Sequence, residues 1–273
     1  YETTTRKILV PDIYGNISGV HGKILFRMLS KRKIVHEKYH SNRKLQKRLI
    51  NKHDFTYFNL LQVAVSYLPE AKRILDIGCG VGTVSYYFGS MGKKVVGIDI
   101  SKTAIELAKL NAKSLNVDKN VKFKVIDFPD QNATGKFDLV LLSEVLEHLR
   151  DDNLAVKKIY RLLRPKGLVI ASSPSKNAPL FRAGLLRKFD KEVGHLRRYN
   201  EAGFKKLFKD SNFKILETRK TEGIIRNTLF TNVILGKSIR FIRWFLSDFI
   251  NFVDRLTIPI FGESQVYVVA RKI

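Results

Sequence analysis

The sequence predicts an α/β fold built on a doubly wound parallel sheet, and three observations carry that reading. Short apolar runs recur at RILDI (73–77), KVVGI (94–98), VKFKVI (121–126), FDLVLL (137–142) and GLVIAS (167–172). Stretches of helical pattern near 83–90, 102–116 and 148–163 separate them. Residues able to do chemistry cluster at 76–82, 99, 127 and 143–148, at or just past the ends of those runs, where ligands of such sheets bind. Almost continuously apolar strands alternating with helices mean a sheet covered on both faces.

In chain order, residues 1–58 read as a basic helical arm. Within 55–68, Phe55, Phe58, Leu61, Val65 and Leu68 fall at helical spacing, and Pro69 stops that helix before the first strand. Ser101 is placed to cap the helix after the second strand. After the fifth strand come an apolar and basic segment, APLFRAGLLRKF (178–189), and a helix near 200–211. Two more strands follow, FKILET (213–218) and QVYVVAR (265–271). An insertion at 223–262 lies between those two strands. In it Ile239, Ile242, Leu246, Phe249, Val253 and Leu256 form an apolar stripe, broadened by Phe241, Trp244 and Phe245. Lys237, Arg240, Arg243, Ser247, Asn251 and Asp254 lie on the other side of the helix. Such a helix packs on the sheet, covers a site as a lid, or lies in a membrane interface, and the pattern leaves these open.

Composition sets the class of partner. With 50 Lys plus Arg against 25 Asp plus Glu, the 273 residues carry +25, while 44% hydrophobic residues are enough to build a core. The charge is uneven: +9 over 1–58, +5 over 59–175 and +11 beyond. An ordinary enzyme-like middle is thus flanked by basic ends suited to an anionic membrane surface, an acidic substrate or nucleic acid. One cysteine, Cys79, excludes an intramolecular disulfide framework and suits a reducing, cytoplasmic setting. The first apolar run is too short for a signal peptide, and no stretch reaches the length of a membrane span.

The first strand leads into Asp76-Ile77-Gly78-Cys79-Gly80-Val81-Gly82. Glycines at that spacing let the backbone turn tightly and approach a ligand, and Cys79 reads as a small residue whose backbone lines the loop. A carboxylate two positions before the first glycine disfavours a pyrophosphate and favours a ligand with an amino group and a sulfonium. Asp99 ends the second strand, where it can take both ribose hydroxyls. Asp127 and Phe128 end the third, suited to an adenine amino group and ring face. Any one of these acidic residues could simply cap the next helix; three in order are harder to dismiss.

With these residues in view, 73–173 resembles a class I S-adenosylmethionine-dependent methyltransferase of the type 11/12 group. LDIGCGVG, VVGIDIS, VIDF and FDLVLLSEVLEHL are similar to its four motifs in order. The resemblance implies a Rossmann-like methyltransferase fold: a seven-stranded, mostly parallel sheet with an antiparallel last strand. It implies a cofactor set of Asp76, Gly78, Cys79, Gly80, Gly82, Asp99, Ile100, Asp127, Phe128 and Ser143, with Ser143 on the methionine side.

Glu144, Glu147 and His148 follow the fourth strand at i, i+3 and i+4, which on a helix puts them on one face. Two carboxylates and an imidazole there suit a divalent metal such as Mg. The run is similar to the E-x-x-E-H of ubiquinone-biosynthesis O-methyltransferases and of small-RNA 2′-O-methyltransferases. His195 in VGHLRRYN stands where those families place a later histidine, giving a metal set of Glu144, Glu147, His148 and His195. The same run also occurs in type 11 methyltransferases with no established metal, so His148 or His195 as general base stays open beside it. The expected function is methyl transfer to a small-molecule or lipid-like acceptor, at oxygen, with peripheral contact to an anionic membrane. The alternatives are RNA methylation and a non-catalytic binding protein of the same fold. No RNA-binding module is recognised in the sequence.

Overall fold

A computed structural model of the chain describes residues 32–38, 40, 45–232 and 244–273. Residues 32–38 are helical. The first named helix, α1 (Phe58–Val65), leads to β1 (Arg73–Ile77), α2 (Thr83–Ser90), β2 (Lys94–Asp99), α3 (Lys102–Ser114), β3 (Val121–Val125) and β4 (Phe137–Ser143). Then come α4 (Asp152–Leu162), β5 (Leu163–Pro174), α5 (Pro179–Arg182), α6 (Arg187–Val193), α7 (Glu201–Lys209) and β6 (Phe213–Thr221). The last elements are α8 (Ile224–Thr231), α9 (Trp244–Phe261) and β7 (Gln265–Lys272).

The seven strands lie in the order β3-β2-β1-β4-β5-β7-β6. β1 to β5 are parallel, and β7 runs antiparallel to both β5 and β6. The strand order reverses between β1 and β4, which opens a crevice past their carboxyl ends.

Alternation along the strands explains why both faces are covered. Leu75, Ile77, Val140, Leu142, Val169 and Ala171 pack into one cluster with α4 and α7 residues. Their neighbours Ile74, Leu139, Leu141, Leu168 and Ile170 pack into the other, with residues of α1, α2 and α3. Each fully buried Leu or Ile contributes about 1.5–3 kcal/mol.

Ser101 caps α3 as expected, its Oγ accepting from Ala104 N at 3.0 Å. Glu37, from the N-terminal helical segment, adds a second cap: its carboxylate accepts from Lys102 N at 2.7 Å, Thr103 N at 3.2 Å and Ser101 Oγ at 2.8 Å. A carboxylate at a helix N-terminus meets unpaired amides and the positive end of the dipole.

One expectation changes, and one of the alternatives left open for the insertion closes. The helix expected from 148 begins only at Asp152; Leu146–His148 is a 3₁₀ turn, and Glu144 is left-handed at φ 57°. The insertion helix α9 is inverted relative to a packed amphipathic helix. Its polar residues Ser247, Asn251 and Asp254 are buried, whereas Phe249 (63%), Phe252 (62%), Leu256 (59%) and Ile260 (74%) are exposed. The apolar stripe therefore does not pack on the sheet. Lys237, Ile239, Arg240, Phe241, Ile242 and Arg243 lie outside the described residues, as do the side chains of Trp244 and Phe245 and most of 1–58.

Partners explain the inversion. Asp254 accepts from the amides of Gly223 (2.7 Å), Ile225 (2.9 Å) and Arg226 (3.1 Å) at the start of α8. Arg226, 1% exposed, donates to Asn251 Oδ1, Phe55 O and Glu222 Oε1 at 2.8–2.9 Å, and its guanidinium lies 4.4 Å from the Phe55 ring centre. No helix among the described residues is long and apolar enough to cross a membrane.

Candidate active site

The turn after β1 is set by its glycines. Gly78 N and Cys79 N both donate to Ile98 O, at 2.8 and 3.1 Å, which ties the loop to the end of β2. Gly78 has φ 72°, and a Cβ there would stand 2.5 Å from Val145 Cγ2, so no side chain fits. Asp99 closes the turn: Oδ2 accepts from Gly80 N and Oδ1 from Ser101 N, each at 2.9 Å.

Beyond these strand ends lies a cavity of about 1240 Å³, larger than the roughly 300–1,000 Å³ usual for a small-ligand site. Six of the sequence-predicted cofactor residues line it: Gly78, Gly80, Asp99, Ile100, Phe128 and Ser143. Asp76, Cys79, Gly82 and Asp127 stand behind the wall. Asp76 accepts from Ser85 Oγ at 2.6 Å beneath the loop. Burial pushes its carboxyl up to about 7, against the Ser85 hydrogen bond, and Asp99 adds to the rise. Burial likewise raises the Cys79 thiol, which is no reactive thiolate. Asp127 forms an ion pair with Arg32 of the N-terminal helical segment. Gly82 turns the chain into α2 at φ 90°.

Farther along, His148 and His195 line the same cavity, and together with Glu147, which is buried behind the wall, they offer ligand atoms all within 4.8 Å of one another. Glu147 is fully buried. Its Oε2 accepts from Ser173 Oγ at 2.9 Å and its Oε1 has no hydrogen-bond partner. Burial drives its carboxyl well above the usual carboxylate range, and Glu144 adds to the effect. His148 is pushed down to about 3, first by burial, then by His195 and His36, so its ring is neutral. The 3.2 Å approach of its Nδ1 to Gly194 O assigns the proton to Nδ1 and leaves a lone pair on Nε2.

His195 is held by Asp190, whose Oδ1 lies 2.9 Å from Nδ1. Asp190 also accepts from Arg198 Nη2 at 2.6 Å and Nε at 2.8 Å. Leu196 N donates to Glu147 O at 2.8 Å, fixing the histidine loop against the Glu147 turn.

Of the four residues expected to hold a metal, the structure brings together Glu147, His148 and His195 but not Glu144. Because 144–148 is not an α-helix, and Glu144 is left-handed just before the 3₁₀ turn, Glu144 is outside the group. Its Oε1 accepts from Gln265 Nε2 at 2.8 Å, and burial raises its carboxyl to about 7. In its neighbourhood the structure adds His36, whose ring centre is 5.1 Å from that of His148. His36 also lines the cavity. It sits in the basic 31–52 run, whose sequence carries no signal of a site.

A sulfonium-bearing donor with a ribose suits the Gly78–Asp99 end, and the class that fold and loop define is the class I S-adenosylmethionine-dependent methyltransferase. Residues 68–228 match the family model described as a methyltransferase domain, and the chain belongs to that family. It is 32% identical over 114 residues to a ubiquinone biosynthesis O-methyltransferase of Nitrobacter winogradskyi, covering 42% of this chain and 43% of the relative. A Mesorhizobium japonicum protein of the same name is 40% identical over 105 residues, covering 38% and 41%. The chain thus spans less than half the length of these curated relatives.

Solved structures share the fold. Haemonchus contortus phosphoethanolamine N-methyltransferase 2, in complex with S-adenosyl-L-methionine, superposes with TM-score 0.59 at 18% identity, covering 77% of this chain and 52% of that one. A Mesorhizobium loti S-adenosylmethionine-dependent methyltransferase gives 0.54 at 19% identity, covering 77% and 96%.

Proposed function

We propose that the enzyme transfers the methyl group of S-adenosylmethionine to an oxygen of a small, lipid-like acceptor, beside a divalent cation held by Glu147, His148 and His195. The observation that carries this is the buried Glu147 Oε1, which lacks a partner and faces two imidazoles whose other nitrogens are already engaged. Orienting a ligating histidine through its second nitrogen is the usual arrangement at metal sites, and three protein ligands leave open positions. When bound, the cation would lower the pKa of the acceptor hydroxyl and orient its oxygen.

The chain's residues supply the rest. Asp99 and the 78–80 turn hold the donor, and Ser143, bonded to Ser172 Oγ at 3.0 Å, lines the same cavity as Asp99 and the two histidines. The acceptor hydroxyl gives up its proton to solvent, its oxygen attacks the methyl carbon, the carbon–sulfur bond breaks, and the sulfonium leaves as a neutral thioether; positioning supplies much of the rate. Leu60, Leu186, Phe189, Val193 and Phe230 give the far end of the cavity an apolar wall. The name of the curated relatives supports oxygen as the methylated atom.

The test combines calorimetry and turnover. Mn²⁺ should bind the wild type and bind Glu147→Gln at least about tenfold more weakly. Methyl transfer to a catechol bearing an apolar tail should stop on chelation and return with Mg²⁺. Chelation without effect removes the cation. Transfer to an RNA 3′-terminal hydroxyl instead of the catechol overturns the acceptor class.

A further inference from the structure

The exposed face of α9 departs from ordinary burial. Phe249, Phe252, Leu256 and Ile260 recur at three- and four-residue steps, so they form one stripe on the side opposite buried Ser247, Asn251 and Asp254. The stripe continues onto a neighbouring element. Ile260 and Phe261 line a shallow groove of about 330 Å³ with Pro179, Leu180 and Arg182 of α5, and Leu185, three residues past Arg182, is 68% exposed. Contiguous apolar surface of this kind marks an interaction site.

We infer that this face is a docking surface for an anionic lipid bilayer, with α9 lying in the plane of the interface. Two observations select that occupant. The first is charge. Exposed Arg182 on α5 and Arg255 on α9 lie on the elements that carry the apolar residues, with exposed Arg187 and Lys191 on the adjoining α6, in a chain of net charge +25. The acidic residues on those elements are spoken for: Glu192 lies 4.0 Å from Lys188, Asp248 pairs with His53 at 2.8 Å, and Asp190 is held by Arg198. An anionic headgroup layer complements such a rim, whereas a second copy of the chain would oppose it with its own cations.

The second is continuity with the cavity. Asn227, Phe230 and Thr231 of α8 and Phe189 and Val193 of α6 line the cavity. Ile224 of α8 lines the outer groove with Ile260, and Leu185, just before α6, is exposed. The same elements thus separate the acceptor end of the cavity from the apolar surface, placing that end against the bilayer. This part rests on the lipid-like acceptor proposed above; the docking surface does not.

The experiment is vesicle flotation of the full chain, with phosphatidylcholine alone and with about 30% phosphatidylglycerol. The wild type should float with the anionic vesicles, weakly with the neutral ones, and bind less as salt rises. Replacing Arg182 and Arg255 by Gln should cost about fivefold each. Phe249→Ser with Ile260→Ser, both at exposed positions, should reduce binding at least about tenfold with thermal stability and S-adenosylmethionine affinity unchanged.

Wild-type protein that does not float with anionic vesicles, or floats equally after the double substitution, overturns the proposal. So does a dimer in solution that the double substitution dissociates, since that assigns the face to a second copy. Intact flotation with no methylation of any lipid-like acceptor would sink the acceptor reading and leave the docking surface standing.

Discussion

Replacing Asp190 by Asn tests the scaffold of the proposed cation site with little change of shape. Partial burial pushes the Asp190 carboxyl up, but hydrogen bonds from His195 and Arg198, then the Arg198 charge, outweigh it and hold the group at about 2. Against an ordinary value of 3.8, at 1.36 kcal/mol per pH unit, that is worth about 2.4 kcal/mol, of which ~1–2 kcal/mol survives solvent screening. Because the folded value lies below the unfolded one, the contribution is fully present above about pH 4–5 and is lost as pH falls through about 2. Asparagine would also set an NH₂ against the Arg198 Nε donor. Urea unfolding should therefore show Asp190→Asn less stable than wild type by ~1–3 kcal/mol at pH 7. The gap should close between about pH 4 and pH 2, as the wild-type carboxyl is itself protonated. In parallel, Mn²⁺ affinity should fall about 10–100-fold, because His195 loses the partner that fixes its ring. Equal stability at pH 7, or a gap that does not narrow on acidification, refutes the reasoning.

Other expectations follow from single contacts. Asp99→Ala removes the carboxylate that closes the turn and is proposed to hold the donor, and calorimetry should show S-adenosylmethionine affinity down at least about tenfold. Gly78→Val forces a side chain into Val145 at a left-handed position; it should abolish cofactor binding and cost ~1–3 kcal/mol in a thermal melt. Arg226→Met leaves Glu222 and Asn251 without their buried cation. Differential scanning calorimetry should find it destabilised by about 3 kcal/mol, roughly 6–12 °C in Tm, with cofactor affinity unchanged. Glu37→Ala removes the second cap on α3. Limited proteolysis should then cut the 32–40 segment faster, with a stability loss of ~1 kcal/mol or less.

The cofactor end was legible because it is local. Strand, glycine turn and helix follow one another within 73–90, and Asp99 reaches the loop through the adjacent strand of a parallel pair. Spacing alone then fixes which backbone amides meet which carboxylate. The acceptor end draws on four distant segments: the helix near residue 36, the turn at 146–148, the loop at 194–199 and α8. Pattern pairs none of these with another. His148 and His195 were singled out by an E-x-x-E-H run and a resemblance to known families, whereas His36, in KRKIVHEKYH, belongs to no such pattern. Glu144 falls outside the Glu147–His148–His195 group for a nameable reason: the i, i+3, i+4 rule holds only on an α-helix, and Glu144 at φ 57° breaks that path before His148.

Helix α9 shows what periodicity leaves open. The spacing of Leu246, Phe249, Val253 and Leu256 defines a face, but a face can turn either way. In water, exposing Phe249, Phe252, Leu256 and Ile260 forgoes about 1.5–3 kcal/mol apiece. The opposite choice would expose that polar side and leave the Gly223, Ile225 and Arg226 amides and the Arg226 guanidinium short of partners. A carboxylate accepting from such groups contributes about 1.5–3 kcal/mol per bond, and stripping it from a buried arginine costs about 3–5 kcal/mol. The polar sum, about 7.5–14 kcal/mol for three such bonds and the arginine, matches or exceeds about 6–12 kcal/mol for four apolar side chains, so the buried network sets the direction by itself. An apolar surface beyond the chain, with basic residues at the margin of α9, would return part of what exposure forgoes. On this accounting α8 and α9 should be more stable on anionic vesicles than in buffer, and amide hydrogen exchange across 246–260 should slow when such vesicles are added.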